Sequence, residues 1–515
     1  MALILKGSFV ALHQRRGAAP VADLMITVAR KRQFGSLAAA STVRPLVGSP
    51  RHARPTVRLR VARVLAVAVA LVCLVWAPAA SATPLNRVED GVGIKIGERS
   101  TFHPGFALAT GVDTNVFYED SGEGPQAAAF MAPTGWLGIG NRQVRDGMLM
   151  SPPERSGRVM DYNIAAILGF RQYLARRANV LQQSRLSGGV QARLYFLPGR
   201  RFSVALDEDF FRHAQPSNYD AGADFNFNRI DHRGSLTFFV RPGGGRLSFA
   251  AGYRSHFLRF QNAAQDVARG NRLLNGMLGE IKWRFLPKSS VLFRYTMDYT
   301  YYLDCCTDVG SGRNEDNFAH RIMGGYRGQI LKKVTFDALA GWGLGFYRDD
   351  PNGPNFNSFL ADVGFNYYPR PTSVIHASFY RQFQDSLLGN YFTDIGGRVG
   401  GRHQFRWNMI AGVNANILRR RYAGLPVPGF EDDDITGYTG SGADGFIRND
   451  TMFVLDAKIE QPLGKLWALA LTYDLTVDAA NYLTFFAQTD ANGNPAVDIA
   501  GYNKHVLMFL AAIRI

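Results

Sequence analysis

The residues of this 515-residue sequence that could carry out chemistry are few and scattered. Asp207 and Asp209 lie two positions apart, so on a β-strand they would share one face. A pair of carboxylates can perform acid–base catalysis, but we interpret these two as residues of a structural wall. Gly341, Gly343 and Gly345 could be mistaken for a phosphate-binding loop. Their period of two places them instead within a strand, where they would thin the wall or ease its curvature.

Other candidate sites are equally weak. The acidic run Glu431–Asp434 lacks the spaced oxygen ligands and the bidentate Glu of an EF-hand, which favours a solvated external loop. Cys305 and Cys306 are adjacent and form no CxxC or metal-ligand spacing; a vicinal disulfide and an incidental pair both stay open. The sequence contains no GxSxG, HExxH or P-loop motif. We therefore predict no enzyme activity, no cofactor and no metal site.

Charged residues that alternate with apolar ones are a more informative set, and they require strands to position them. The segment Val291–Leu303 reads VLFRYTMDYTYYL and alternates throughout. Because strand side chains point to opposite faces with period two, one face is apolar and aromatic and the other is largely polar. Soluble strands mostly run about 5–6 residues, whereas a strand that crosses a bilayer at a tilt needs roughly 9–11. The pattern predicts a transmembrane strand.

The same alternation continues from Phe102 to the C-terminus and predicts an all-β, antiparallel transmembrane β-barrel of about 18 strands. Short turns alternate with longer polar loops, as short periplasmic turns alternate with extracellular loops in bacterial barrels. The least certain strand pair, 392–421, is divided near Phe405–Asn408, because merging it would give an odd number of strands; sixteen strands remain an alternative. The predicted strands are 104–117, 126–140, 157–174, 183–197, 200–213, 224–240, 246–260, 272–286, 289–303, 317–330, 333–347, 357–369, 372–385, 392–404, 408–421, 450–461, 465–486 and 502–515.

The polar faces of these strands would line the lumen, and the apolar faces would contact lipid. Mixed charges there would suit a hydrated sugar polymer, or they would form ordinary cross-strand ion pairs that stiffen the wall. The predicted pore-lining residues are Arg171, Arg254, Glu280, Lys282, Arg284, Arg294, Asp298, Arg321, Arg327, Asp337, Asp362 and Asp474.

The N-terminal part of the chain has a different composition. Residues 1–82 hold 12 Lys or Arg and one acid, Asp23, so most of the net charge of +16 lies in this tail and does not indicate nucleic-acid binding. Residues 1–57 are either a disordered extension or a consequence of a start codon placed too far upstream. Residues 58–82 have the basic, apolar and small-residue regions of a signal peptide, with cleavage expected after Ala82. Residues 83–101 are then a periplasmic segment, and 102–515 form the barrel.

Two further features indicate an outer-membrane barrel. The alternating pattern runs to the last residue, as in the assembly signal of such barrels, although Ile515 replaces the usual terminal aromatic residue. The first strand contains Phe102-His103-Pro104-Gly105-Phe106, followed by Gly111-Val112-Asp113-Thr114-Asn115-Val116-Phe117. This stretch resembles the start of the β-barrel porin type 2 family and its eighteen-strand myxobacterial members.

The resemblance implies a specific role. Its members are implicated in exopolysaccharide export across the outer membrane of Gram-negative bacteria. By that resemblance, the expected partners are outer-membrane lipid, a periplasmic polysaccharide-export protein, the polysaccharide co-polymerase machinery and the polysaccharide itself, with no nucleic acid. The alternative function is a general or ligand-selective diffusion porin for small solutes. The residues by themselves predict only a barrel.

Overall fold

The structure is a computed structural model of the chain. No helix among the residues that it describes is long and apolar enough to cross a membrane. It describes residues 91–118, 126–141, 157–213, 228–261, 270–303, 316–347, 355–386, 390–423, 441–442, 445–446, 448–480, 483–489, 495–499 and 501–515.

Within these residues, eighteen long strands form one closed antiparallel barrel. Each strand pairs with the next along the chain, and the first pairs with the last, so the predicted fold class is confirmed. The strands are β1 Ser100–Asp113, β2 Ala128–Gly140, β3 Met160–Leu174, β4 Arg185–Phe196, β5 Phe202–His213, β6 Arg229–Val240, β7 Leu247–Phe260, β8 Arg272–Leu286, β9 Ser289–Tyr302, β10 Asn317–Leu331, β11 Val334–Tyr347, β12 Phe356–Arg370, β13 Ser373–Asp385, β14 Tyr391–Gln404, β15 Ile410–Ala423, β16 Asn449–Leu463, β17 Trp467–Ala480 and β18 Tyr502–Arg514.

The outer surface of the barrel is apolar. On β9, Phe293 is 50% exposed and points outward, whereas its neighbour Leu292 is 4% exposed and points inward. The other strands repeat this arrangement, with large apolar side chains such as Trp342 and Phe509 exposed on the outside. A closed barrel with an apolar exterior satisfies its backbone hydrogen bonds internally and presents hydrocarbon to lipid. The chain is therefore an outer-membrane β-barrel, as predicted.

The connections at the two ends of the barrel differ in length. The start of β1, the end of β18 and most of the short turns lie at one end, which is the periplasmic end in bacterial barrels. The predicted division between β14 and β15 is confirmed, because β14 ends at Gln404 and β15 begins at Ile410. One connection at this end is long: β2 ends at Gly140 and β3 begins at Met160, in agreement with the predicted strands 126–140 and 157–174.

The seam between β1 and β18 is closed by a buried ion pair. The Nζ atom of Lys504 lies 2.8 Å from an oxygen of Asp113 and 4.0 Å from the centre of the Tyr118 ring. Asn115 donates a side-chain hydrogen bond of 3.1 Å to the carbonyl oxygen of Asn503. Asp113 and Asn115 both belong to the stretch that resembles the porin family, and in this structure they hold the first strand to the last.

Smaller elements accompany the barrel. The short strand Ile94–Ile96 pairs with the start of β1. A five-residue helix, α1 Ala178–Gln182, follows β3 at the extracellular end. Two short strand pairs lie in the connections that follow β15 and β17. The predicted extension (1–57), the signal peptide (58–82) and the two cysteines at 305 and 306 lie outside the described residues.

Candidate functional site

The inner wall carries the predicted pore-lining residues, and most of them form one continuous patch. By strand register, all twelve occupy inward positions, and ten lie on the consecutive strands β7 to β12. We refer to these ten residues as the charged ladder: Arg254, Glu280, Lys282, Arg284, Arg294, Asp298, Arg321, Arg327, Asp337 and Asp362. Six are basic and four are acidic. Whether they govern transport remains a prediction.

Asp298 is the central acceptor of the ladder. Its Oδ2 atom accepts a 2.7 Å hydrogen bond from Arg321, and Arg254 forms a bidentate pair with it from two strands away. The Arg254 side chain crosses Gly276 on β8, where an added Cβ would lie 2.4 Å from an Asp298 oxygen. Gly276 is therefore the small residue that allows β7 and β9 to be bridged across β8.

Two further ion pairs connect neighbouring strands. Arg294 donates hydrogen bonds of 2.7 and 3.0 Å to Glu280, which is its direct partner in the β8–β9 register. Arg327 donates a bond of 2.5 Å to Asp337, its direct partner in the β10–β11 register. Cross-strand ion pairing of this kind was one of the two interpretations that the sequence left open.

The remaining predicted residues differ in their surroundings. Lys282, Arg284 and Asp362 form no ion pair with any described residue. The side chains of Arg284 and Asp362 are exposed, and that of Lys282 is half-buried. Arg171 lies apart from the ladder on β3, with its guanidinium 4.5 Å from the centre of the Phe130 ring. Asp474 lies on β17, directly opposite the inward-facing Asp456 of β16.

Other inward-facing charges extend the polar wall beyond the predicted set. Asp231 accepts a 2.9 Å bond from Arg233 and lies 3.1 Å from the ring of His256. On the adjacent strands, Arg193 contacts both Asp207, at 3.1 Å, and Asp209, at 2.8 Å. The sequence alternation is sufficient to place all of these on the inner face. The two aspartates are wall residues held by one arginine, in agreement with their interpretation from the sequence.

The lumen is narrowed by the extracellular end of the β13–β14 hairpin, a feature that the alternating sequence pattern does not predict. We call residues 382–386 and 390–393 the tip. Below the tip, β12 pairs with β13 as far as Ala361 and Arg381, but Phe356–Leu360 of β12 have no partner on β13. The tip instead contacts the inner faces of other strands: Thr300 on β9 donates a 3.0 Å hydrogen bond to Asp385. The hairpin end therefore folds into the barrel.

Aromatic side chains fix the tip against the inner wall. Phe383 stacks on Phe356 of β12 with ring centres 3.9 Å apart, and both are buried. Tyr391 stacks on Tyr347 of β11 at 5.6 Å. Gly343 leaves space for these rings, because an added Cβ at this position would lie 2.9 Å from both the Phe356 and the Phe383 rings. The glycine pattern on β11 thus makes room for the tip, which refines the expectation that it thins the wall.

The opposite side of the hairpin is anchored by arginines from the next strands. Arg420 on β15 forms a bidentate pair with Asp394 at 2.8 and 3.0 Å and lies 3.8 Å from the centre of the Phe392 ring. Arg448, just before β16, lies over the Tyr422 ring and pairs with Asp450. Burial acts to lower the pKa of Arg448, but Tyr422 and Asp450 outweigh it, so this pKa lies above its usual value. Arg448 is therefore charged at this rim.

A signal for the tip is present in the sequence. Along β13 the outward positions hold Ile375, Ala377 and Phe379, but the next members of that series are Arg381 and Asp385. Charged residues on a lipid-facing series are costly in a membrane. Their presence is consistent with a strand that leaves the lipid-facing wall, but it is not specific, because Arg419 and Arg421 hold outward positions on β15, which stays paired on both sides.

Several side chains of the charged wall are accessible to solvent. Although they point inward, the Arg254 and Asp337 side chains are each 43% exposed, and Arg233 is 60% exposed. Among the described residues, no group of three or more His, Cys, Asp or Glu side chains is arranged to hold a metal ion. The arrangement can attract and orient ions and polar solutes.

Neither a family model nor a curated protein sequence matches the chain. Among solved structures, it is similar to OpdQ of Pseudomonas aeruginosa (TM-score 0.41, 9% identity, 81% of this chain and 98% of that chain). It is also similar to the outer membrane protein opdK of the same species (0.40, 11%, 80% and 98%) and to OccAB3 of Acinetobacter baumannii (0.40, 8%, 80% and 99%). At these values the similarity carries no inference about function. The resemblance to exopolysaccharide-export barrels has no support from these comparisons.

Proposed function

We propose that the protein is a passive diffusion channel for small hydrophilic solutes. The observation that carries this proposal is the water-exposed, charged inner wall beneath an apolar exterior, with Arg254 and Asp337 each 43% exposed. A barrel of this size can enclose an aqueous channel. Catalysis and anchoring would not require a continuous charged wall that is open to water.

The distribution of charge supports a preference for anions. The charged ladder has two more basic than acidic residues, and its unpaired Lys282 and Arg284 lie toward the periplasmic end of β8. Across the ring, the acidic pair Asp456 and Asp474 lies on β16 and β17. This asymmetry produces a field across the lumen, and clefts with low-dielectric walls concentrate such a field. Rings of basic side chains favour anions in pores.

The tip forms the constriction of the proposed channel. It reaches from β13 to the inner face of β9 and brings Phe383 to within 4.5 Å of the Arg321 guanidinium. A solute that passes through the lumen must pass between the tip and the rest of the wall. Size selection would therefore depend on the tip, and charge selection on the ladder beside it.

Ion selectivity tests this proposal most directly. In planar bilayers with a salt gradient, the reversal potential of the wild-type channel should have the sign that indicates greater permeability to anions than to cations. The double variant Lys282→Gln/Arg284→Gln should shift that potential toward the value for a cation-selective channel, because it removes two basic groups without breaking an ion pair. Lys332→Gln in the exposed turn between β10 and β11 is the matched control and should leave the potential unchanged. A protein that inserts but does not conduct would contradict the proposal.

Export of an exopolysaccharide remains a separate hypothesis that rests on the sequence resemblance alone, as do its predicted periplasmic partners. A polymer in transit would have to displace the tip or pass beside it. A deletion strain distinguishes the two functions. Loss of surface polysaccharide with normal small-solute uptake would favour export, whereas slower solute uptake with normal polysaccharide secretion would favour the diffusion channel.

A further inference from the structure

The outer face of the barrel carries an ionisable pair in the middle of its wall. Glu208 on β5 lies on the same face as the exposed Phe210, and its carboxylate is 2.9 Å from Nε2 of His232 on β6. The two side chains are 42% and 39% exposed. By strand parity, Glu208 is the one carboxylate on the outer face of the eighteen strands apart from the tip, which leaves the wall.

This position is unfavourable for a group surrounded by lipid. Glu208 lies about halfway along β5, which runs from Phe202 to His213. Ionisable side chains on the lipid face of a barrel are destabilising in a depth-dependent way. One bond joins the carboxylate to the imidazole, and hydrocarbon offers no partner for the second carboxylate oxygen or the second ring nitrogen. A protein surface in contact with this region would supply those partners.

The surroundings of the pair allow close approach of another chain. Glu208 is flanked in the register by Ala192 on β4 and by Gly234 on β6. A Cβ at Gly234 would lie 2.9 Å from both Glu208 oxygens, so the carboxylate lies against the bare backbone there. Gly188 lies on the same outer face of β4. Small residues at such positions let backbones approach within a membrane.

We infer that this surface, the outer face of β4 to β6 around Glu208 and His232, binds a second copy of this chain. The partner follows from charge complementarity. The surface carries both an acid and an imidazole, so it is complementary to itself. In a two-fold arrangement the same patch faces itself, and residue i contacts residue j while j contacts i. The Glu208 carboxylate of each copy then bonds the imidazole of the other, and four polar groups leave the lipid together.

The test uses protein that is expressed from the full-length gene and recovered from outer membranes. Native mass spectrometry should give a dimer for the wild type and a monomer for Glu208→Leu/His232→Leu, which replaces the pair with apolar groups. The matched control is Tyr473→Phe/His505→Leu, which removes an outward hydrogen-bonded pair at β17 and β18 and should leave the dimer intact. Single-channel conductance per barrel should be the same in all three proteins, because none of the changes touches the lumen.

A cross-link locates the contact. With Cys73, Cys305 and Cys306 replaced by Ser, Phe210→Cys should form a disulfide-linked dimer in membranes, whereas Phe509→Cys on the outer face of β18 should not. A wild-type monomer in both membranes and detergent would overturn the inference, and so would a dimer that survives Glu208→Leu/His232→Leu. Any other oligomer would overturn the two-fold arrangement. These outcomes are independent of whether the barrel conducts.

Discussion

Several buried charges in this barrel are paired with buried charges of the opposite sign. Lys504 and Asp113 at the seam are both inaccessible to solvent or nearly so, and Arg420 and Asp394 near the tip are similarly buried. Removing one member of such a pair leaves an uncompensated charge, which costs far more than replacing both members with apolar groups. Each pair is therefore a position where a single substitution and a double substitution should differ.

The seam pair gives a direct test of this difference. Asp113→Ala should lower the free energy of unfolding by about 3–5 kcal/mol, because Lys504 would be left buried without its carboxylate. Asp113→Leu/Lys504→Met should recover most of that loss. Urea titration of the folded barrel in detergent measures both effects. Equal losses in the single and double variants would show that the pair does not act as a unit.

Gly276 and Gly279 form a matched pair of positions on β8. A Cβ at Gly276 would lie 2.4 Å from Asp298, whereas a Cβ at Gly279 has nothing within 4 Å. Gly276→Val should break the Arg254–Asp298 bridge and cost about 1–3 kcal/mol, as overpacking does, while Gly279→Val should be tolerated. Unfolding titrations and ion selectivity would report the difference; similar effects from both changes would contradict the bridging role of Gly276.

At the scale of elements, the tip is the feature that changes the shape of the lumen. It depends on an inward bend of β13 above Arg381 and on the space that Gly343 leaves for the Phe383 ring. A hairpin that leaves the wall in this way gives up hydrogen bonds to β12. It gains aromatic stacking and a hydrogen bond to β9 in exchange.

A disulfide can test whether the tip lies inside the barrel. With the native cysteines replaced by Ser, Thr300→Cys/Asp385→Cys should cross-link under oxidation, because the two native side chains are joined by a 3.0 Å hydrogen bond. The oxidised channel should fluctuate less between conductance levels than the reduced one. Tyr299→Cys/Asp385→Cys places the first thiol on the outer face and should not cross-link. Absence of the first cross-link in folded protein would contradict the inward position.

The strands were predictable from the sequence, whereas the tip was not. The period of two fixes both the existence and the faces of a strand, so the predicted 272–286 and 289–303 agree with Arg272–Leu286 and Ser289–Tyr302. It also placed Arg294 and Glu280 on one face, where they pair directly. The contact of Asp385 with Thr300 depends on residues distant in sequence, and no local pattern encodes it. Arg381 and Asp385 indicated only that the lipid-facing series ends.

For the whole molecule, the usual distribution of residues is inverted, with large apolar groups outside and charged groups inside. Phe293 is 50% exposed to the surroundings, while its neighbour Arg294 pairs with Glu280 in the interior. This inversion is stable only in a hydrocarbon environment. Substitutions at adjacent positions of one strand should therefore have opposite kinds of effect.

Phe293→Arg places a charge in the lipid and should destabilise the barrel by about 2–4 kcal/mol if the position is near the midplane. Arg294→Ala should change ion selectivity more than it changes the level of assembled barrel. Folding titrations in lipid vesicles and bilayer recordings measure the two effects separately. If Phe293→Arg left the free energy of unfolding unchanged, Phe293 would not face the lipid.

The ion pair at the seam also constrains the order in which the barrel can be made. Asp113 and Lys504 are 391 residues apart, so the ring cannot close before β18 is available to pair with β1. Until then the sheet has two unpaired edge strands, one of which is β1. Each edge can pair with a strand of another chain, which leads to aggregation. Contacts this distant form slowly, because the entropy of closing the loop is lost before the contact is gained. Pairing of β18 with β1 therefore ends the period in which the barrel has unpaired edges.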